Sequence, residues 1–135
     1  MAGAVVESLA RLNIKRPVVV SHYNERLNGG LRNFLSVYGI EAATIQSVNQ
    51  HRSAKSLADQ EATDLYCGLA RKAYAEAGGS DGFLISGGGT FSTVDIVNRL
   101  EQDIGVPVVS SSLAAIWKSL PMLGYHEPIR GFGRL

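Results

Sequence analysis

Apolar residues in this chain recur with two periods, and the two periods take turns. Val5, Leu9 and Leu12 stand at i, i+4 and i+7, the spacing of one helix face. Residues 17–22 then form a short β-branched run entered through Pro17, as a strand can be. Leu27, Leu31, Phe34, Leu35 and Tyr38 return to helical spacing, with Gly39 placed to end the helix. Residues 41–48 alternate, with Ala43 and Ile45 on one face, which predicts a weaker strand near an edge. A long helix is expected over 56–77, with Ala62, Leu65, Leu69 and Ala73 inward, stopped by Gly78 and Gly79. The run 82–86 is apolar on both faces, as in a buried parallel sheet. Val94, Val97, Leu100 and Ile104 mark the next helix, closed by Gly105. A fourth strand is expected over 106–109, and Leu113, Ile116, Trp117 and Leu120 mark a last helix before Pro121.

Strands that alternate with helices pair in parallel through right-handed crossovers. The expected α/β product is a doubly wound four-stranded parallel sheet, order 2-1-3-4, with helices on both faces, a flavodoxin-like topology. At 135 residues the chain suits a single α/β domain, 1–135, able to pack a core without disulfide or metal staples. Residues 49–55 read as a polar loop, and the tail from 126 to 135 as aperiodic, with an ordered turn at 131–133 over the sheet end.

Charge excludes several functions. Thirteen Lys and Arg against twelve Asp and Glu leave a net charge of +1, which gives no electrostatic footprint for nucleic acid or an anionic membrane. No apolar run approaches the ~20 residues of a membrane helix, and the start shows no secretion signal, so a cytoplasmic protein is the default expectation. Cys67 is the single cysteine and sits mid-helix among apolar residues, where it reads as a buried filler. His51 and His126 lack metal-ligand spacing, and no metal site is expected.

In sheets of this order, ligands bind beyond the carboxyl ends of the strands where the strand order reverses. Three segments converge there. Ser21, His22, Tyr23 and Asn24 follow the first strand; Ser86, Gly87, Gly88, Gly89 and Thr90 follow the third; Ser110, Ser111 and Ser112 follow the fourth. These small neutral groups lead into helix N-termini, whose free N–H groups and dipole favour an anion such as a carboxylate or phosphate. Serines before a helix also serve simply as caps, and Ser92 and Ser112 could do only that. The glycine run is neither a dinucleotide fingerprint nor a P-loop, having neither the spacing of the first nor the lysine of the second. Tyr23 is placed for ligand contact, and His22 is expected on the opposite side of the strand.

The stretch Asp81-Gly-Phe-Leu-Ile-Ser-Gly-Gly-Gly-Thr, the stretch Leu100 through Val-Pro-Val-Val-Ser-Ser-Ser, Ala115-Ile-Trp and the closing Gly131-Phe-Gly-Arg-Leu together resemble the aspartate/glutamate racemase superfamily. The branch is that of maleate cis-trans isomerases and arylmalonate decarboxylases, and the resemblance runs from Val5 to Leu135. It implies enzymes of two similar α/β halves with the active site between them, acting on small carboxylates without cofactor or metal. The chain corresponds to the second, C-terminal half. The resemblance makes Tyr23 the tyrosine that stabilises a substrate carboxylate or enediolate. Asn24, Ser86, Gly88, Gly89, Thr90, Ser110, Ser111 and Ser112 become substrate-binding positions. A cysteine is implied after Ser86, where Gly87 stands, so the chain alone is expected to be catalytically impaired as an isomerase, racemase or decarboxylase. The length fits either a piece of a two-half enzyme, favoured by the start directly in a helix, or a freestanding half that forms a homodimer. The alternative from another class is a non-catalytic module holding phosphate, a flavin phosphate or an assembly partner at the same helix ends.

Overall fold

The computed structural model describes residues 1–50, 59–87 and 93–135, without the side chains of Gln50 and Asp59. Five helices alternate with four strands: α1 (Ala2–Arg11), β1 (Val18–Ser21), α2 (Glu25–Val37), β2 (Thr44–Ser47), α3 (Asp59–Glu76), β3 (Phe83–Ser86), α4 (Val94–Ile104), β4 (Val108–Ser110) and α5 (Ser111–Ser119). Short 3-10 turns follow at Val48–Gln50 and Pro121–Leu123. The strands form one all-parallel sheet in the order β2-β1-β3-β4, as the alternation of periods requires.

The strands carry side chains to two apolar layers. Val18, Val20, Phe83, Ile85 and Val108 meet Tyr66, Ala70 and Ala73 of α3 and Ile96, Val97 and Leu100 of α4. Val19, Leu84 and Val109 face Val5 and Leu9 of α1, Leu35 of α2 and Ala114 of α5. Burial on both faces explains why β1 and β3 read as continuous apolar runs. α4 spans the residues its periodicity marks, and Gly105 ends it in the left-handed conformation (φ 82°) that glycine adopts without strain.

Asp81, the first residue of the glycine-loop motif, works at the other end of the sheet. Its carboxylate accepts from the backbone N–H of Lys15 at 2.7 Å and of Arg16 at 2.9 Å, which ties the entry of β1 to the entry of β3. The tail turn lies over the end of the sheet where the strands enter, away from their carboxyl ends. Asn98 donates to the Gly131 carbonyl, and Glu101 accepts from the N–H groups of both Arg134 and Val108, so the turn rests on α4 and the entry of β4. On α3 the fully buried residues are Ala62, Tyr66, Cys67, Ala70 and Ala73; Leu65 and Leu69, expected inward, are partly exposed. No helix among the described residues is long and apolar enough to cross a membrane.

Candidate functional site

All four strands end in serine: Ser21, Ser47, Ser86 and Ser110. Ser21 stands in register with Ser47 on one side and Ser86 on the other. Ser110 is paired with Ile85, one position earlier on β3. The carboxyl edge of the sheet is thus a line of hydroxyls, each 6% exposed or less.

Two of these hydroxyls, with the side chains of Asn28 and Asn49, hold the segment after β1. The Ser21 hydroxyl accepts from the Tyr23 N–H at 3.3 Å and donates to Asn28 Oδ1 at 2.6 Å. The Tyr23 carbonyl accepts from Ser47 Oγ at 2.6 Å and from Asn28 Nδ2 at 3.4 Å. Asn49 donates its side-chain N–H to the carbonyl of His22, and its backbone N–H to Ser47 Oγ at 3.3 Å. The backbone of 22–23 is therefore fixed by β2, by the turn after it and by α2. Asn24 caps α2, its side chain accepting from the Leu27 N–H at 3.0 Å.

The partners across the sheet come from β3 and β4. Gly87 has φ +87° and donates its N–H to Ser111 Oγ at 3.1 Å. A Cβ at Gly87 would overlap the His22 imidazole and lie 3.0 Å from Cε1 of Tyr23. Only glycine combines that conformation with that approach. Thr93 Oγ1 sits 3.0 Å from both Ser110 Oγ and Ser112 Oγ, a hydroxyl triangle at the start of α4 and α5. Ser110 caps α5 by accepting from the Leu113 N–H at 3.1 Å.

The edge thus brings Tyr23, Ser86, Gly87 and Ser111 together and sets Ser110 and Ser112 beside them. Ser110, not Ser112, is the cap of α5, while Gly88, Gly89, Thr90 and Ser92 lie outside the described residues, as does His51. His22 departs from expectation. Its ring packs against that of Tyr23 with centroids 4.9 Å apart and borders Gly87, because strand alternation stops at Ser21 and the chain turns. Sequence reasoning passed over Ser47, Asn28, Asn49 and Tyr66. Burial, first, and the Tyr23 phenol, second, push the Tyr66 phenol well above its ordinary value, so the two phenols lie within electrostatic reach. The buried position of Tyr66 on α3, between Ala62 and Ala70 at i, i+4 and i+8, was the signal that could have found it. Burial also pushes the Cys67 thiol up, which suits a filler and not a nucleophile. Among the described residues no group of three or more His, Cys, Asp or Glu could hold a metal ion.

The polar edge is made of neutral donors at the start of helices, set on a doubly wound all-parallel α/β sheet. The family model described as arylmalonate decarboxylase matches residues 1–135, and the chain belongs to that family. Arylmalonate decarboxylase of Bordetella bronchiseptica is 32% identical over the whole chain, which covers 55% of that protein. The chain therefore spans about half the length of the curated relative it matches. The unliganded structure of arylmalonate decarboxylase superposes with a TM-score of 0.81 at 29% identity, covering 98% of this chain and 57% of that one. The maleate isomerase of Pseudomonas putida S16, solved with maleate, shares the fold at a TM-score of 0.79 and 20% identity, over 97% of this chain and 51% of that one.

Proposed function

We propose that this chain is a carboxylate-binding α/β half of the arylmalonate decarboxylase type, equivalent to the C-terminal half of a two-half enzyme and without turnover of its own. One observation carries the reading: Tyr23 is held by a backbone clamp at the point where β1 and β3 end, directly beside Gly87. A phenol carried on a backbone held in this way can donate to an oxygen whose negative charge grows as a carboxylate-bearing carbon becomes an enediolate. Holding that backbone is the useful part, since less has to be ordered when the charge develops. Ser86, Ser111 and Ser112 supply further neutral donors on the same edge, and the reading assigns substrate binding also to Gly88, Gly89 and Thr90, which lie outside the described residues. Asn24 starts the helix that follows Tyr23.

Loss of carbon dioxide leaves an electron pair on the substrate that a proton must quench. The residue expected to deliver that proton is a thiol after Ser86, and Gly87 has no side chain. The domain is accordingly read as binding without completing the reaction, needing neither cofactor nor metal for the binding step. Calorimetric titration with phenylmalonate and maleate, with acetate and inorganic phosphate as references, tests this. Dicarboxylate binding that weakens in Tyr23→Phe, with no release of carbon dioxide from phenylmalonate, is the expected result. No heat from either dicarboxylate at millimolar concentration would overturn the binding reading. Protection from thermal unfolding by phosphate alone would favour an anion-binding module instead. Decarboxylation by the chain alone would overturn the assignment of Gly87.

A further inference from the structure

The His22 imidazole takes the room that a side chain at position 87 would need. A Cβ built on Gly87 would lie 2.3 Å from its Cε1 and 2.4 Å from its Nδ1. Position 87 brings no side chain to the edge, and the ring that stands in its room comes from the other central strand end. That ring packs on Tyr23 with centroids 4.9 Å apart and planes at 48°, and the His22 carbonyl accepts from Asn49. His22 is half-buried, and the chain runs from it through Tyr23 to Asn24, the cap of α2.

The rest of the described edge is neutral at pH 7: serine and threonine hydroxyls, the Tyr23 phenol and backbone N–H groups. His22 is the one described group there that can become a cation near neutral pH, since an unperturbed imidazole titrates at ~6.5. The groups around it carry no charge of their own. Its own turn brings Tyr23, and Tyr66 of α3, a phenol protonated at pH 7, lies within electrostatic reach of Tyr23. β3 meets the ring with Gly87, whose N–H is bonded to Ser111 of α5, and the turn after β2 brings Asn49. Charged residues in the first turns of the helices that start at this end of the sheet are Glu25 and Arg26 on α2, Glu61 on α3 and Asp95 on α4. All four are exposed, where solvent and salt screen them.

We infer that His22 is the charge partner of the bound ligand: a dicarboxylate held at Tyr23 and Gly87 draws a proton onto the imidazole, and the imidazolium balances one of the two carboxylates. The inference rests on the carboxylate-binding reading and adds a specificity to it, for a dianion over a monoanion. Neutral donors can hydrogen-bond both carboxylates but cannot cancel their charge. An opposite charge this close favours the charged form of a titratable ring. The proton comes from solvent and adds to the lone pair of the neutral ring nitrogen, and no bond of the ligand is broken. A ligand that binds the protonated form more tightly must bind more weakly as pH rises through the imidazole's titration.

Calorimetric titration with phenylmalonate tests this on wild type, His22→Phe and His22→Gln. Phenylalanine keeps a ring against Gly87 and Tyr23 without its charge, and glutamine keeps a polar group without the ring. In wild type the affinity is expected to fall about tenfold from pH 6.5 to pH 8.5, and in both variants by less than about twofold. The wild-type preference for phenylmalonate over phenylacetate at pH 6.5 should shrink about tenfold in the variants. In the wild-type protein, the imidazole proton signal in contact with the Tyr23 ring should titrate about one pH unit higher with saturating phenylmalonate. That shift decides the matter if neither variant folds. A pH dependence that His22→Phe retains overturns the inference and leaves the carboxylate reading standing, and so does an imidazole titration that the ligand does not move. No binding by wild type at either pH overturns both.

Discussion

Replacing Gly87 by alanine tests how tightly the two central strand ends are fitted together. Two separate penalties are expected. The backbone at Gly87 has φ +87°, and holding a residue with a Cβ in a left-handed conformation costs about 1–2 kcal/mol. The new methyl also overlaps the His22 ring, and forcing an extra carbon into a packed contact costs about 1–3 kcal/mol. Gly87→Ala should therefore lower the unfolding free energy by about 2–5 kcal/mol, the sum of those two ranges. His22→Ala removes the ring that the methyl strikes and leaves the backbone penalty untouched. In the His22→Ala background the same glycine substitution should cost only about 1–2 kcal/mol, and the double-mutant cycle should show a coupling of about 1–3 kcal/mol. Urea denaturation of the four proteins, read by far-ultraviolet circular dichroism, supplies the free energies. Equal costs in the two backgrounds would refute the packing of His22 against Gly87. The same geometry bears on Gly87→Cys: the thiol would be carried on a strained backbone against the His22 imidazole, not placed freely over the strand ends.

Three further outcomes follow from the same contacts. Ser47→Ala removes the 2.6 Å donor to the Tyr23 carbonyl, a bond between groups largely out of water; it should cost about 1–3 kcal/mol in urea denaturation and weaken dicarboxylate binding by mispositioning Tyr23. Tyr66 ionises less readily folded than unfolded, so its contribution is fully present below the ordinary value of 10.0 and is lost as pH rises above it. Between pH 9 and 11, wild type should lose stability faster than Tyr66→Phe, by up to about 1.4 kcal/mol per pH unit above 10, and parallel curves would contradict the buried phenol. Cys67, buried and held protonated, should react with a disulfide reagent at least tenfold more slowly in the native protein than in urea, as a thiol-release assay reads.

Strand order was legible because four apolar runs separated by helical stripes leave few right-handed arrangements. Strand edges were less so. The run 106–109 begins at an apolar valine, but Pro107 has no N–H for the ladder, and β4 starts at Val108. Ile40 and Ala42 are buried without belonging to β2, so apolar content marked burial and not pairing. The stripe on α2 shows the same limit from the other side. Its period is helical, yet Leu27 and Tyr38 face water, because a pattern of apolar residues does not say which surface covers them. At the site, Tyr23 and Gly87 could be brought together from topology alone. Ser47, Asn28 and Asn49 could not, because they act on backbone carbonyls and leave no motif. His22 was misplaced because alternation was carried one residue past the end of β1.

The central claim is that the serine-lined edge around Tyr23 and Gly87 takes a small carboxylate, and amide chemical-shift mapping with phenylmalonate tests it most directly. A nitrogen-15 labelled chain titrated to millimolar ligand should show saturable shifts at Tyr23, Ser86, Gly87, Ser111 and Ser112. The amides of the α5–tail groove, some 520 Å3 lined by Trp117, Tyr125, Ile129 and Phe132, should stay in place. Shifts confined to that groove, or no shifts at the strand ends, would contradict the account.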